Sequence, residues 1–79
     1  MVTATQAVRI ALSFMNNMYW NYRVMGYVVR VNASHVSRYG GVYYVTVNVA
    51  LSNPVLAGAR RVVHRVEVDA DSGQVVAFY

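Results

Sequence analysis

Few residues of this chain could do acid–base, nucleophilic or metal chemistry. Its 79 residues include two histidines, three carboxylates and no cysteine, so disulfides, thiolate zinc sites and a cysteine nucleophile are excluded. His64 and Glu67 are close enough along the chain to suggest a metal pair, but a separation of three residues on a strand places their side chains on opposite faces. We therefore predict no metal site, a hydrogen-bonded His64 beside the core and a solvated His35.

The segment from Asp69 to Gly73 has the D-x-D-x-G spacing with which calcium loops begin. Such loops need further oxygen ligands and a bidentate Glu about eleven residues after the first Asp, and the sequence stops before that position. A tight turn explains the same residues, because the side chain of Asp71 can bond nearby backbone and Gly73 can adopt a positive φ. There is also no G-x-S-x-G pattern, and we predict neither catalysis nor a cofactor.

This turn joins two strands of a predicted closing hairpin. From Val62 to Val68 the apolar residues fall on every second position, which is typical of a strand covered on one face. A second short run, Val75–Tyr79, is β-branched and aromatic and is predicted to pair back on the first. On the first strand, the covered face is predicted to hold Val62, His64, Val66 and Val68, and the open face Arg61, Val63, Arg65, Glu67 and Asp69.

The remaining elements follow from caps and periodicity. Thr3 and Gln6 form a capping-box pattern that opens a helix ending near Tyr19. Strands are predicted from Tyr27 to about Val36 and from Val42 to Leu51, joined by a turn at 38–41, and 52–59 is predicted to be a loop with extra mobility. The helix is predicted to pack through Ala4, Val8, Ala11, Leu12, Met15 and Met18, flanked by Ile10 and Phe14.

These elements predict a single α+β domain spanning residues 1–79. One N-terminal helix packs on a four-stranded antiparallel sheet, in the order α-β-β-β-β, because each turn is short enough to join antiparallel neighbours. No run approaches the roughly 18 apolar residues of a membrane span. The N-terminus lacks the basic segment and cleavage site of a signal peptide.

Composition favours a binding role. The apolar fraction of 57% exceeds the roughly 45–50% of soluble domains, which indicates surface buried against a second copy or a partner. Four aromatic residues are concentrated after the helix, where they either cap the core or form a partner surface; they are Tyr19, Trp20, Tyr22 and Tyr27.

The open sheet face is a second candidate surface. The net charge of +4 is a weak field for an acidic partner, but arginines beside a tyrosine can bind phosphates and stack bases. Glu67 and Asp69 share this face and favour a plain solvated surface instead. The exposed basic set on this face is predicted to be Arg30, Tyr44, Arg61 and Arg65.

The end of the chain resembles a known family. "VEVDADSGQVVAF" is similar to the last hairpin of the PepSY domain, which has the form V-x-V-D-A-x-[ST]-G-x-V. Gly40–Val49 resembles the family's middle strand, and Ala7–Met15 resembles its first helix. The matching positions in the hairpin are Val66, Val68, Asp69, Ala70, Ser72, Gly73 and Val75.

The resemblance implies a cystatin-like sheet, a non-catalytic and peptidase-modulating role, and a location outside the cytoplasm. The 52–59 loop and the aromatic cluster at 19–27 depart from the family pattern. The Q-x-V-x-G hairpin through which cystatins bind proteases is absent, because Gln74–Phe78 lacks the glycine. The inhibitory mode is therefore not carried over.

Three hypotheses follow for function. The first is a module that binds a peptide or protein, with a peptidase as the implied partner. The second is a small basic protein that binds nucleic acid through the open sheet face. The third is a self-associating structural domain, pairing through an edge strand or the aromatic residues at 19–27.

Overall fold

The computed structural model describes residues 1–55 and 58–79 and shows one N-terminal helix packed on a four-stranded antiparallel sheet. The predicted fold class is confirmed. Each strand pairs with the next along the chain, so the spatial order is β1-β2-β3-β4. The elements are α1 (Ala4–Met18), α2 (Trp20–Val24), β1 (Val28–Tyr39), β2 (Val42–Asn53), β3 (Gly58–Asp69) and β4 (Val75–Phe78).

Helix α1 begins at the predicted capping box. The Gln6 N–H donates to the Thr3 hydroxyl at 3.2 Å, and the Thr3 N–H donates to the Gln6 side-chain oxygen at 2.9 Å. These two bonds satisfy backbone donors that the first turn of a helix leaves free.

The packed face of α1 differs in part from the prediction. The fully buried residues are Ala7, Ala11 and Met15, which follow one another at four-residue spacing. Ala4 and Met18 were expected in the core but are exposed. They are the first and last residues of the helix, and only its central turns are closely covered. Two alanines on the contact line let the helix approach the sheet closely.

The segment after α1, for which no element was predicted, contains the short helix α2. The Arg23 side chain donates to the carbonyl and side-chain oxygens of Asn16 and to the Val29 carbonyl, so it ties both helices to β1. Gly26 ends the segment with φ of 92°, a conformation that glycine adopts without steric cost. The chain can then turn directly into the sheet.

The strands are longer than predicted. β1 runs to Tyr39, so the first turn is only Gly40–Gly41, and the β2–β3 ladder extends from Val42↔Asp69 to Asn53↔Gly58. Most of the predicted 52–59 loop therefore belongs to strands or to the turn at 54–55. Residues 56 and 57 lie outside the described part of the chain. Pairing with a partner strand overrides the weak strand preference of serine, asparagine and glycine.

A β-bulge at Ser34 interrupts β1. Ala33 pairs with Val47 and His35 with Thr46, so one residue of β1 is left without a partner. The extra residue reverses the alternation beyond it, because side chains alternate strictly along a strand. Val36 and Arg38 therefore pair with Val45 and Tyr43 on the covered side, and His35 lies on the open face.

The core lies between α1 and the middle strands. Met15 from the helix is fully buried against the sheet. The predicted alternation of β2 and β3 is confirmed, since their covered-face valines are buried except for the half-buried Val62. The fully buried valines are Val45, Val47, Val49, Val66 and Val68.

The closing turn forms as predicted but uses a different aspartate. A side-chain oxygen of Asp69, not Asp71, accepts the Ser72 N–H at 2.9 Å and the Ser72 hydroxyl at 2.7 Å. These bonds hold the pKa of Asp69 below its usual value. Gly73 has φ of 76°, and its main-chain N–H donates to the Asp69 carbonyl at 2.9 Å.

Candidate functional site

The four aromatic residues predicted as a partner surface have different environments. The rings of Tyr19 and Tyr22 have centroids 5.3 Å apart, and those of Tyr22 and Tyr27 are 5.5 Å apart. Such separations are typical of favourable aromatic pairs. Trp20 is 62% exposed, and within the described residues its ring contacts no other. Three tyrosines therefore form one row, and the tryptophan projects separately into solvent.

Tyr19 is anchored by the predicted hydrogen-bonded histidine. Its hydroxyl lies 2.6 Å from His64 Nε2, and His64 Nδ1 lies 2.9 Å from the main-chain oxygen of Tyr79. Burial raises the pKa of the Tyr19 hydroxyl, and the neighbouring Tyr22 raises it further, whereas Arg60 acts in the opposite direction. Because its hydroxyl is already paired, Tyr19 fixes the end of α1 on β3. Tyr22 and Tyr27 are half-buried.

Tyr22 and Tyr27 line an open groove at the end of the sheet. The groove has a volume of about 640 Å³, which is within the range of ligand-binding clefts. Its walls are mainly apolar, and Met25 at its rim is 69% exposed. The lining residues are Tyr22, Met25, Tyr27, Leu51, Asn53, Gly58, Ala59 and Arg60. This arrangement suits a ligand in which an apolar or aromatic side chain lies next to a negatively charged group.

Three residues of this groove, Met25, Leu51 and Arg60, were not predicted as part of a site. Leu51 was predicted only as the last residue of a strand, and Arg60 follows the predicted 52–59 loop. The tyrosines were a usable signal, because their position after a helix suggested a wet aromatic surface. The distance along the chain between Tyr22 and Arg60 hides the rest of the groove from any local pattern.

The predicted basic set on the open sheet face separates into two groups. Arg30 and Arg61 both pair across to Ala50, so they flank a small residue at one end of the sheet. Further along, the Arg65 guanidinium lies 4.9 Å from the centre of the Tyr44 ring. One face of Tyr44 is thereby occupied, and Glu67 pairs with Tyr44 on the adjacent strand.

The free edge of β3 is a third feature, which was not predicted from the sequence. β4 pairs with β3 only at Val66–Val68, and Tyr79 adds two main-chain bonds to Arg65. The preceding half of β3 has no neighbour on that side within the described residues. The difference in length between the two strands was the only signal in the sequence.

Within the described residues, no cluster of three histidines, cysteines or carboxylates could hold a metal ion. Over the same residues, no helix has the length and apolar character needed to cross a membrane.

Comparison with known proteins identifies no relative. No family model, no curated protein and no solved structure matches the chain.

Proposed function

We propose that this chain is a non-catalytic module that binds a peptide or protein segment in the groove at the end of the sheet. The observation that carries the proposal is the groove itself, where Tyr22 and Tyr27 face Arg60 around a partly apolar opening. Tyrosine, methionine and arginine are enriched at protein interfaces. The exposed Met25 adds a flexible apolar contact that adapts to a partner's shape.

The class of partner rests on the PepSY resemblance of the last hairpin. That family occurs in the propeptides of thermolysin-type peptidases, so a peptidase is the first partner to test. The closing hairpin would then act as the rigid end of the domain, while the groove at the opposite end of β3 makes the contact.

A test compares two substitutions at the end of α2, where Val24 is the last helical residue and Met25 follows it. Met25→Asp introduces a charge at the groove rim, whereas Val24→Asp introduces the same charge at a neighbouring residue that is 66% exposed and does not line the groove. We expect the first substitution to weaken binding to a purified thermolysin-type peptidase by about ten-fold or more, and the second to leave it unchanged. Biolayer interferometry measures the affinity, and the rate of peptide-substrate hydrolysis reports any modulation.

Two results would contradict this proposal. One is that no peptidase in a panel of secreted enzymes binds the wild-type chain. The other is that Met25→Asp and Val24→Asp bind equally well.

Nucleic-acid binding by the open sheet face is a second candidate, favoured by the pair Arg30 and Arg61. Two shallow grooves meet at Ala50 between these arginines, and strand spacing places their Cα atoms about 10 Å apart. Within the described residues neither arginine has a carboxylate partner. Both guanidinium groups are therefore available to phosphate oxygens.

Fluorescence anisotropy with single-stranded oligonucleotides tests this candidate. Affinity for the wild type should fall steeply from about 50 mM to about 200 mM salt. The double variant Arg30→Ala/Arg61→Ala should bind more weakly and with a smaller salt dependence. Absence of oligonucleotide binding at low salt would rule out nucleic-acid binding by this face.

A further inference from the structure

We propose that the free edge of β3, from Ala59 to Val63, accepts an acidic extended peptide as a fifth strand of the sheet. This inference rests on the proposed peptide-binding function and specifies both the mode of binding and the charge of the peptide. In strand addition, main-chain hydrogen bonds supply affinity and alternate side chains supply specificity.

The direction of the main-chain groups follows from the bonds at Arg65. The Arg65 N–H donates to the Tyr79 main-chain oxygen at 3.4 Å, and the Tyr79 N–H donates to the Arg65 carbonyl at 2.9 Å. The Arg65 groups therefore point away from β2. In an antiparallel ladder this direction alternates, and the β2–β3 register has no shift over the length of β3. The main-chain N–H and C=O groups of Val63, Arg61 and Ala59 must therefore also point away from β2.

These three residues present a row of unpaired donors and acceptors. Each contributes one N–H and one C=O to the outer edge, and none has a further hydrogen-bond partner within the described part of the chain. Val63 is 64% exposed, and Ala59 and Arg61 are also exposed. Such a row is a template for an added strand.

The other edge of the sheet is less suitable. β1 is equally long, but the bulge at Ser34 interrupts its spacing and reverses its side chains. A bulge twists an edge strand and is one of the devices that prevent unwanted pairing. The segment Ala59–Val63 contains no bulge, so a regular peptide strand fits it better than it fits β1.

Charge selects the occupant of this edge. Arg60 and Arg61 are adjacent, so their side chains lie on opposite faces of the sheet, and neither has a carboxylate partner among the described residues. All three carboxylates of the chain lie further along, at Glu67, Asp69 and Asp71. A peptide with two consecutive acidic residues would place one beside each arginine. The residue opposite Arg60 would face the aromatic groove.

The same charges disfavour a second copy of this chain on the edge. A symmetric antiparallel pair centred on Arg61 places two copies of that arginine directly opposite each other, and a pair centred on Arg60 does the same. Like charges at directly opposite positions destabilise a sheet. An acidic peptide gains attraction at both positions instead.

The probe is a fluorescein-labelled peptide with the core Val-Val-Glu-Glu-Thr, written in the direction antiparallel to β3. Its two valines lie opposite Val63 and Val62, and its two glutamates opposite Arg61 and Arg60. A Lys-Lys version tests charge. A version N-methylated at the first Glu lacks the N–H that donates to the Arg61 carbonyl. We expect both control peptides to bind about ten-fold or more weakly in fluorescence anisotropy.

Val63→Pro is the sharpest variant of the protein. It removes an N–H that points outward, so the β2–β3 ladder keeps all its bonds, and proline is tolerated on edge strands. We expect Val63→Pro to weaken binding of the Glu-Glu peptide by about ten-fold or more, and the matched control Val63→Thr to leave the affinity unchanged. Amide exchange should show protection at Ala59, Arg61 and Val63 when the peptide is bound.

Charge reversal provides an independent test if Val63→Pro fails to fold. The double variant Arg60→Glu/Arg61→Glu should reverse the charge preference and bind the Lys-Lys peptide more tightly than the Glu-Glu peptide. If Met25→Asp abolishes binding of the Glu-Glu peptide and Val63→Pro does not, the peptide binds in the groove and not at the edge. The edge proposal is then wrong, while the proposed function stands. Equal binding of the Glu-Glu and Lys-Lys peptides would also overturn the edge proposal. So would displacement of the labelled Glu-Glu peptide by oligonucleotides but not by the unlabelled peptide.

Discussion

Asp69 stabilises the closing turn by accepting two hydrogen bonds from Ser72, which lower its pKa. A carboxylate with a lowered folded-state pKa stabilises the fold fully above its unfolded pKa of about 3.9. That stabilisation is lost as the pH falls through the lowered value. Asp69 is therefore expected to make the domain less stable in acid.

We predict that Asp69→Asn removes this part of the acid dependence. Urea unfolding between about pH 6 and pH 2 would measure it, over the range in which the carboxyl groups titrate. Asp71→Asn is the matched control and should retain the wild-type dependence, because the two Ser72 bonds are made by Asp69. Identical pH profiles for wild type and Asp69→Asn would contradict the assignment.

Tyr19 has the opposite effect, because its pKa is raised by burial and by Tyr22. The unfolded chain loses this proton at about pH 10, before the folded chain does. The corresponding stabilisation is complete below that pH and is lost as the pH rises through the raised value. The domain is therefore expected to become less stable in alkali.

We predict that Tyr19→Phe costs about 1 kcal/mol at neutral pH, because the bond to His64 is lost. The same variant should show a smaller fall in stability between about pH 9 and pH 11, the range around the tyrosine pKa. Tyr39→Phe, at a site 82% exposed, is the control for tyrosines in general. An alkaline decline in Tyr19→Phe as steep as that of Tyr39→Phe would show that Tyr19 is not its source.

Among the elements, α1 depends most on small side chains at its contact with the sheet. Ala7 and Ala11 are fully buried in the core, so a larger side chain would have to displace close-packed neighbours. We predict that Ala11→Leu destabilises the domain by about 1–3 kcal/mol through overpacking. Ala4→Leu should change the free energy of unfolding by less than about 0.5 kcal/mol, because Ala4 is exposed.

Chemical denaturation followed by circular dichroism measures both values. If Ala4→Leu were the more destabilising, the packed face first expected from the sequence would be the correct one. Ala7 was not included in the predicted packed face, because alanine has too little apolar surface to mark a helix face by itself.

Strand boundaries were harder to predict than strand identities. Val42–Leu51 and Val62–Val68 alternate so regularly that their covered faces were predicted correctly. Their true ends lie at Asn53 and Gly58, where polar and small residues continue the ladder. The main-chain bonds that extend the ladder depend on the opposite strand and leave no periodic signal in either segment.

At the scale of the whole molecule, the arginines of β3 are expected to keep the chain from pairing with itself. The molecule is elongated, with overall dimensions of 44 × 19 × 18 Å. The half of β3 that β4 does not pair with is the more regular of the two open edges of the sheet. We predict that Arg60→Thr/Arg61→Thr self-associates, because threonine favours strands and removes the repulsion. The wild type should remain monomeric.

Light scattering over a range of micromolar concentrations distinguishes these outcomes. Arg30→Thr/Arg38→Thr changes the same number of charges on the bulged strand β1, and it should stay monomeric. A wild-type dimer, or equal association of the two double variants, would show that charge on β3 does not control pairing.

By itself the sequence determined the local features of this protein. The capping box at Thr3, the alternation of β2 and β3, and the glycine turn after Asp69 each depend on residues close together in the chain. The resulting fold class followed from their order. Of the candidate site, only the tyrosines and the arginines of the open face could be predicted, because they stand out by residue type.

The tertiary structure decided how distant segments meet. It placed Tyr19 against His64, brought Arg60 to the groove of Tyr22, and introduced the bulge at Ser34 that reverses the faces of β1. It also left half of β3 uncovered. Register and packing depend on the summed fit of many side chains from separate elements, and no single stretch of sequence records that sum.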